Sequence, residues 1–481
     1  MSSGLRGVVG MLGALCLFVA PARAEPAAEA SPQAAAELRA AWDALLGRLA
    51  SAREAIDDPA LYAPPATDRG LAEGYRYLLG FAAAGFERAF FEDPDFPAFR
   101  RSIPPWQKST IDNADNLYLS ARIDGNARYR LTGRAEAHGH WRGEPRARGR
   151  RLAPQYVIFS AITHHTGDSG GMAELSPLVT ANTGVLDSTR IAVDADGRFE
   201  ILLAPERPEG YAGNFIATRA TRMVAGKERT FLARYLSGRE LFGDWEHEFP
   251  LELHIARIGM EGRHPAPITP EGAAARMREM GALVDHQMRF WNEFYVKILD
   301  PYQRPGVTAP NDLGVNTIAQ PHWTTGVGAA QATTTYGAGI YDLAPGEALI
   351  VEDHLRDRPL YVGFDLSNFW GESYDYANHT SSLNDFQARP DADGVVRYVV
   401  AHEDPGVANW IDTTGQRTGY MSRRWAFAER GAALPTVEVE KVPLADVLSH
   451  LPADTRRVTP EERRRQIEVR QRHTQRRYRQ Y

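Results

Sequence analysis

Cysteine is almost absent from this sequence, since Cys16 is the only one among 481 residues. It lies in an N-terminal segment that we predict to be cleaved off, and Leu15 precedes it where a lipid-attachment site needs a small residue. The mature chain therefore forms no disulfide, uses no thiol chemistry and binds no metal through cysteine. Its fold has to be held together by packing alone.

Long apolar runs are also scarce at the N-terminus, where the run over residues 8–20 is too short to cross a bilayer. Arg6 is the only charge before this run, and Ala22-Arg-Ala24 after it has the small-x-small pattern of a cleavage site. We therefore predict a signal peptide over residues 1–24, export to the periplasm or out of the cell, and no transmembrane segment after cleavage. Removing Arg6 and Arg23 would change the formal net charge from −6 to −8.

Positive charge is not in excess, and the mildly acidic balance argues against a general nucleic-acid-binding protein. The exception is the arginine-rich tail, where Thr459 and Glu462 form the capping box of a predicted helix. A solvated or docking helix is one interpretation of this tail, and attachment to an anionic lipid or polymer is the alternative. An apolar content of 43% and a charged content of 24% are typical of a soluble globular protein.

Three segments have the apolar spacing of helices, over residues 35–56, 68–91 and 270–299. Thr269 is the predicted N-cap of the third helix. An apolar stripe along this helix is typical of core packing rather than of a cofactor site, and it consists of Met277, Met280, Leu283, Val284, Met288, Trp291 and Phe294.

The rest of the chain has a β pattern that occurs twice, with three landmarks in the same order. The hairpin around Asp124-Gly125 returns over residues 340–352, Tyr156-Val-Ile-Phe returns as Tyr361-Val-Gly-Phe, and the Asp-Ala-Asp-Gly turn at 194–197 returns at 391–394. Asn214-Phe-Ile-Ala-Thr then returns as Asn409-Trp-Ile-Asp-Thr. Since chance rarely gives such an ordered set, we predict a mainly β fold with helical appendages, built from two tandem antiparallel β-sandwich, jelly-roll-like domains joined by a helix.

The length of the chain exceeds what one ordinary core can organise, in agreement with two domains. The predicted boundaries are a signal peptide at 1–24, an N-terminal helical region at 25–105, a first sandwich at 106–262, a helical connector at 263–305, a second sandwich at 306–448 and a basic C-terminal helix at 449–481.

The second repeat resembles the bacterial family called domain of unknown function 1214, which often accompanies domain of unknown function 1254. The resemblance is carried by the stretches at 341–352, 369–384, 401–413 and 451–463, and Asp112-Asn-Ala-Asp-Asn116 fits longer members. It covers most of the chain from about Trp106 onward. The resemblance implies tandem jelly-roll-like sandwiches in an exported bacterial protein. It implies no settled activity and no catalytic residue.

Several short motifs suggest chemistry that their surroundings do not support. Gly167-Asp-Ser-Gly-Gly171 matches the nucleophile motif of chymotrypsin-like proteases, but its serine comes too early in the chain for that fold. His138, His140 and the pair at 164–165 have no carboxylate at an established metal spacing. The oxygen-rich segment 112–116 could suit calcium, although such residues usually form caps and turns. We predict no metal and no cofactor.

The densest set of polar and aromatic groups lies within residues 360–412. Glycan-processing sites need two carboxyl groups and aromatic faces on which sugar rings stack. We therefore predict a carbohydrate-active or carbohydrate-binding site in the second sandwich, as a glycoside hydrolase or as a lyase if it is an enzyme. The predicted catalytic residues are Glu372, Asp375 and His379. The predicted ligand-binding residues are Trp370, Tyr374, Tyr376, Asn378, Asn384, His402 and Trp410.

Two alternatives remain open for this segment. A lyase would use a tyrosine and histidine for proton transfer, supplied by Tyr374, Tyr376 and His379. The same groups could instead be structural, with buried aromatic rings and with carboxylates paired to arginines, for which we consider Arg389, Arg423 and Arg424. As a second function we predict a non-catalytic binding or assembly protein for a small apolar ligand or a protein partner. The oligomeric state is not predicted.

Overall fold

The structure is a computed structural model that describes residues 31–57, 67–176, 179–303, 314–323, 333–427 and 429–478. The predicted signal peptide lies outside the described residues. Within them, no helix is long and apolar enough to cross a membrane. The chain is mainly β with helical parts, as predicted.

Four α-helices have the bounds α1 Pro32–Asp57, α2 Asp68–Phe91, α3 Pro270–Gln303 and α4 Pro460–Tyr478. Short 3₁₀ helices cover Gly139–Arg142, Met172–Leu175 and Leu444–Ser449. The side chain of Thr67 accepts a hydrogen bond from the backbone N–H of Gly70 at 2.9 Å and begins α2. Thr269 caps α3 in the same way, with the Gly272 N–H at 3.1 Å, as predicted. Helices α1 and α2 pack on α3.

The first repeat is a sandwich of a five-stranded and a four-stranded sheet, in the orders β1-β2-β10-β4-β5 and β11-β3-β6-β7, with a separate β8-β9 hairpin. Its strands are β1 Arg100–Arg101, β2 Asn116–Arg122, β3 Tyr129–Arg134, β4 Tyr156–Ile162, β5 Asn182–Asp187, β6 Arg198–Ala204, β7 Asn214–Ala217, β8 Arg219–Val224, β9 Lys227–Leu232, β10 Tyr235–Leu241 and β11 Glu252–Arg257. Alternate side chains such as Leu131, Phe159 and Ile201 fill the space between the two sheets.

The second repeat is also a sandwich of five and four strands, in the orders β12-β13-β19-β15-β16 and β18-β17-β14-β20. Its strands are β12 His322–Trp323, β13 Thr334–Asp342, β14 Glu347–His354, β15 Tyr361–Ser367, β16 Ser382–Asn384, β17 Val396–Ala401, β18 Trp410–Asp412, β19 Thr418–Ala426 and β20 Thr436–Pro443. Leu349, Phe364 and Met421 belong to its core.

The two sheet orders match strand for strand, which makes the internal repeat visible in the topology. Strands β2, β10, β4 and β5 of the first repeat correspond to β13, β19, β15 and β16 of the second. In both repeats one pair departs from the antiparallel arrangement, because β6 pairs with β7, and β17 with β18, in parallel. All three sequence landmarks fall on corresponding strands or on the turns that precede them.

The sandwiches contact each other through segment 108–116, which leads into β2. The carboxylate of Asp115 accepts hydrogen bonds from the hydroxyl of Tyr361 at 2.6 Å and from the side-chain amide of Asn384 at 2.8 Å. The indole N–H of Trp245 donates to the same carboxylate at 2.8 Å. One buried carboxylate thus joins groups from both sandwiches.

Two further residues of this segment reach the long connection between β15 and β16. The carboxylate of Asp112 accepts hydrogen bonds from the backbone N–H and the hydroxyl of Ser373, at 2.8 and 2.7 Å. The ammonium group of Lys108 donates to the carbonyl oxygens of Ser373 and Tyr374, both at 2.7 Å. These buried contacts fix the relative position of the two sandwiches.

Helix α4 docks across the junction, as one of the two interpretations of the basic tail predicts. Arg477 donates to the carbonyl oxygen of Ala114 at 2.7 Å, and Arg470 donates to that of Tyr376 at 3.2 Å. The ring of His473 stacks on Trp245 with a centroid distance of 5.0 Å. The arginines on this face of the helix are therefore buried structural groups.

Two helix glycines give a stability test of the packing between α2 and the second sandwich. A Cβ atom on Gly74 would lie 2.4 Å from Cζ2 of Trp370, whereas one on Gly47 in α1 would meet nothing within 4 Å. We expect Gly74→Ala to lower the free energy of unfolding by about 1–3 kcal/mol through overpacking. Gly47→Ala should raise it by roughly 0.5–1 kcal/mol through helix propensity. Urea denaturation of both variants measures the difference, and stabilisation by both would contradict the packing.

Candidate functional site

The predicted site in the second sandwich begins with Trp370, which is 2% exposed. Its ring packs on α2, and its indole N–H donates to the carbonyl oxygen of Gly70 at 2.7 Å. A stacking platform for sugar rings needs an accessible face. Trp370 has none in this structure, because its face is covered by the helix.

The predicted acid and base lie in different surroundings. Glu372 is buried, and its carboxylate accepts hydrogen bonds from Arg76 at 2.6 Å and from Asn368 at 2.9 Å. Burial raises the pKa of Glu372, and Arg76 opposes this shift. Asp375 is exposed, and its carboxylate accepts a hydrogen bond from the side-chain amide of Asn378 at 2.8 Å.

The arginine partner of Glu372 differs from those considered on sequence grounds. Arg76 comes from α2, whereas Arg423 pairs with Asp353 and Arg424 with Asp365. The prediction that Arg389, Arg423 or Arg424 pairs with the carboxylate of Glu372 was therefore wrong, because α2, which is distant in sequence, packs on this segment and supplies Arg76. The guanidinium of Arg389 donates to backbone carbonyl oxygens, including that of Phe386 at 2.9 Å.

Several remaining predicted residues are occupied by contacts within the protein. The hydroxyls of Tyr374 and Tyr341 lie 2.6 Å apart, and the hydroxyl of Tyr376 donates to that of Tyr478 at 3.2 Å. Nδ1 of His379 lies 2.7 Å from a carboxylate oxygen of Asp412.

The last three predicted residues also have partners. Nδ1 of His402 lies 2.6 Å from the hydroxyl of Thr413. Trp410 donates to the carbonyl oxygen of Ala401 at 3.1 Å, and Asn384 donates to Asp115 in the junction described above. The structure does not gather the ten predicted side chains around one cavity. The carbohydrate site stays a prediction.

The protease-like motif forms a loop around a buried carboxylate. Glu174 is 2% exposed and accepts hydrogen bonds from the backbone N–H groups of Gly167 and Ser169, at 2.6 and 2.8 Å. The hydroxyl of Ser169 donates to the same carboxylate at 2.5 Å. A serine that donates to a carboxylate in this way is a loop-stabilising residue.

A serine and a histidine do approach each other at the opposite end of this loop. Nε2 of His165 lies 2.9 Å from the hydroxyl of Ser120, which is 0% exposed. Burial and the neighbouring Arg88 lower the pKa of His165 to about 3, so the imidazole is neutral. The carboxylate of Asp168 contacts the backbone N–H of His165, at 3.2 Å, and binds Arg88 through two hydrogen bonds. A nucleophile needs access to its substrate, and Ser120 has no exposed surface.

A large open space lies between the two sandwiches, with a volume of about 1730 Å³. The five-stranded sheet of each sandwich forms one wall. Helices α2 and α3 form an apolar wall that includes Phe81, Leu283, Trp291 and Phe294. None of the ten predicted site residues is among the described residues that line this cavity.

Both sheet walls present the same group at corresponding positions. In the first repeat, Arg239 on β10 is paired in register with Tyr118 on β2, and its guanidinium lies 5.8 Å from the ring centroid. In the second repeat, Arg424 on β19 is paired with Tyr336 on β13 at 6.0 Å. Both distances are within the range of cation–π contacts. The cavity thus contains two arginine–tyrosine pairs related by the internal repeat.

A serine precedes each of these arginines by two residues and faces the same cavity. Ser237 and Ser422 line the space together with Arg239 and Arg424, because side chains two residues apart in a strand share a face. The pattern Ser-x-Arg at 237–239 and at 422–424 is visible in the sequence, although none of these residues is among the predicted site residues. The pattern alone does not show that each arginine lies beside a tyrosine, because that contact depends on the pairing of the strands.

The two repeats differ in the acid beside the arginine. Arg424 forms an ion pair with Asp365 on β15 and donates to the carbonyl oxygen of Ile111. Burial raises the pKa of Asp365 to about 7, and Arg424 opposes the shift. Asp365 pairs in register with Ser422, and the residue that pairs in the same way with Ser237 in the first repeat is Ser160.

The solved structures include a similar fold. The chain is similar to an uncharacterised protein from Burkholderia cenocepacia known from a crystal structure, with a TM-score of 0.68 and 27% sequence identity over 86% of this chain and 99% of that one. The VPA0106 protein from Vibrio parahaemolyticus aligns with a TM-score of 0.37 and 11% identity over 76% of this chain and 98% of that one. No protein-family model and no curated protein matches the chain. Membership of domain of unknown function 1214 stays a prediction.

Proposed function

We propose that this chain is a non-catalytic binding protein that holds a small amphipathic molecule in the cavity between its two sandwiches. The cavity itself carries the proposal, because ligand sites commonly lie at domain interfaces and combine apolar walls with a few placed polar groups. Phe81, Leu283 and Phe294 supply the apolar wall, and the arginine–tyrosine pairs supply the polar groups. Export through the predicted signal peptide is part of the proposal and rests on residues 1–24 alone.

Among the described residues, the hydroxyl and carboxyl groups next to the histidines of the cavity wall are engaged within the protein, which favours binding over catalysis. The hydroxyl of Thr180, beside His164, donates to the carbonyl oxygen of Glu174 at 2.6 Å. Of the serine and histidine pair, His165 lines the cavity, but Ser120 is fully buried. The carboxylate of Glu174 is taken up by the loop that contains Ser169. The cavity volume of about 1730 Å³ exceeds the roughly 300–1,000 Å³ of typical small-molecule pockets. The cavity therefore suits a bulky ligand or a ligand that is bound together with water.

The proposal can be tested with the neutral fluorescent probe N-phenyl-1-naphthylamine and a variant that fills the cavity. Ala338 on β13 is exposed and lines the cavity, so Ala338→Trp adds bulk without displacing a packed group. We expect saturable binding of one probe per chain in the wild type and a loss of at least tenfold in affinity in Ala338→Trp. Fluorescence titration measures both.

The matched control is Ala40→Trp on the exposed face of α1, which should bind the probe as the wild type does. Circular dichroism of the three proteins checks that each is folded. Absence of saturable binding in the wild type would overturn the proposal. Equal binding by the wild type and Ala338→Trp would also overturn it, because the probe would then bind elsewhere.

A further inference from the structure

We propose that the ligand of the inter-sandwich cavity carries a carboxylate group and that Arg239 binds it. This inference rests on the proposed binding function and goes beyond it by naming the ligand's chemical class. Two observations support it: the repeat-related arginines, and Asp365 of the second repeat, which corresponds to an uncharged serine in the first.

The second repeat provides the template for carboxylate recognition. There the guanidinium of Arg424 contacts the ring of Tyr336 and forms an ion pair with the carboxylate of Asp365. Arginine binds carboxylates through parallel N–H donors, and an aromatic ring beside it limits the orientations of the guanidinium. The protein thus already holds one carboxylate with this Arg–Tyr arrangement.

The first repeat has the same arginine and tyrosine but a different residue at the acid position. Ser160 takes the place of Asp365 in the register, between Ile158 and Ile162, which both line the cavity. Because a serine side chain is shorter than an aspartate and uncharged, position 160 supplies no carboxylate. Arg239 has other contacts within the protein, among them the ring of Tyr118. A ligand carboxylate would take the place that Asp365 has in the second repeat.

Three other arginines that line the cavity form ion pairs with acids from outside the five-stranded sheets. Arg88 pairs with Asp168, and Arg146 pairs with Glu248. Arg100 likewise pairs with Glu92. Among these wall arginines, Arg239 is the one whose repeat counterpart is bound to a carboxylate that the first repeat replaces with an uncharged residue. Arg239 is half-buried, which places its guanidinium where it is partly desolvated and strengthens a charge–charge contact.

The test compares two probes of almost equal shape, 2-naphthoate and 2-naphthamide, by displacement of N-phenyl-1-naphthylamine. We expect the wild type to bind the acid at least tenfold more tightly than the amide at pH 7. Arg239→Gln should reduce the affinity for the acid to that for the amide, with the affinity for the amide unchanged. Arg234→Gln is the matched control, since Arg234 is exposed just before β10, and it should keep the preference for the acid.

Ser160→Asp provides a second test that leaves Arg239 in place. It restores the acid of the second repeat, and it should abolish the preference for 2-naphthoate while 2-naphthamide still binds. If the wild type binds both probes equally, the carboxylate inference is overturned and the proposed binding function stands. If neither probe nor N-phenyl-1-naphthylamine binds, both are overturned. A preference for the acid that persists in Arg239→Gln and Ser160→Asp would overturn the assignment to Arg239.

Discussion

Replacing Asp115 with alanine should destabilise the protein by about 3–6 kcal/mol, because several buried donors would lose their acceptor. Tyr361, Trp245 and Asn384 all donate to the carboxylate of Asp115 at 2.6–2.8 Å. The amide of Asn384 keeps its bonds to the carbonyl oxygens of Phe242 and Gly243, so its loss is partial. Each donor left unsatisfied costs about 1–3 kcal/mol.

Urea denaturation followed by tryptophan fluorescence and by circular dichroism would measure this loss. The matched control is Asp375→Ala, since Asp375 is exposed and its carboxylate contacts only near neighbours among the described residues. We expect the control to cost less than about 1 kcal/mol. A loss for Asp115→Ala as small as that of the control would show that the junction contributes little to stability.

In the structure, segment 360–412 forms part of the junction between the two sandwiches. Its many polar and aromatic groups resemble a binding site because a site and a domain junction need the same residue types. In the structure Ser373, Tyr376 and Asn384 contact segment 108–116, α4 and the first sandwich. Buried polar groups at a junction have to be hydrogen-bonded, which explains their density. The structural alternative for this segment accounts for these contacts.

The repeat was predictable from sequence because its landmarks lie where backbone geometry restricts the residue type. The Asp-Ala-Asp-Gly turns at 194–197 and 391–394 need Gly197 and Gly394 at positive φ, and β6 and β17 begin shortly after them. Asn214 and Asn409 hold corresponding positions at β7 and β18, the parallel partners. Local chemistry therefore recurs in both halves of the chain.

The helices were also predictable, since their apolar spacing and caps are local. Residues 68–91 were predicted as a helix and form α2 with these bounds. Helix α3 extends to Gln303, four residues beyond the predicted end. Helix ends are the least determined part of such a pattern, because the last turn depends on tertiary contacts.

The cavity was not predictable, because its walls come from elements far apart in the chain. Arg239 and Arg424 are separated by 185 positions, and only the packing of the sandwiches brings their strands to one space. The Ser-x-Arg pattern in both repeats was a usable signal. It needed the strand register to link each arginine to a tyrosine and to compare Asp365 with Ser160. Sequence order alone does not give that register.

The pH dependence of stability provides the second large expected effect, through Glu240 on β10. This side chain is 1% exposed, and one carboxylate oxygen accepts the backbone N–H of Leu251 at 3.0 Å. The other oxygen has no hydrogen-bond partner among the described residues. Burial raises the pKa of Glu240 to about 8 from an ordinary value of 4.5, against the opposing charge of Arg101.

The folded protein and the unfolded chain bind different numbers of protons at neutral pH, because the pKa of Glu240 differs between them. Between pH 4.5 and about 8 the folded protein keeps the proton that the unfolded chain has lost, so the free energy of unfolding falls as pH rises. The contribution is fully present below pH 4.5 and is lost by the time the pH has passed about 8. Each pKa unit corresponds to about 1.4 kcal/mol, so a shift from 4.5 to about 8 gives a total on the order of 5 kcal/mol.

Glu240→Gln resembles the protonated side chain at every pH and should remove this dependence. We expect the variant to match the wild type near pH 4.5 and to exceed its free energy of unfolding by roughly 3–5 kcal/mol at pH 9. Urea denaturation at pH 5, 7 and 9 measures the difference. The variant will keep part of the slope, because burial also raises the pKa values of Glu248 to about 7 and of Asp385 to about 6.

Glu206→Gln is the matched control, since the side chain of Glu206 is 83% exposed, and its stability should follow that of the wild type at each pH. A constant difference between Glu240→Gln and the wild type from pH 5 to 9 would contradict the raised pKa. Glu240 faces the sandwich interior, whereas its chain neighbour Arg239 lines the cavity, because adjacent residues of a strand point to opposite faces. We therefore expect Glu240→Gln to be more stable than the wild type at high pH and to bind N-phenyl-1-naphthylamine with unchanged affinity.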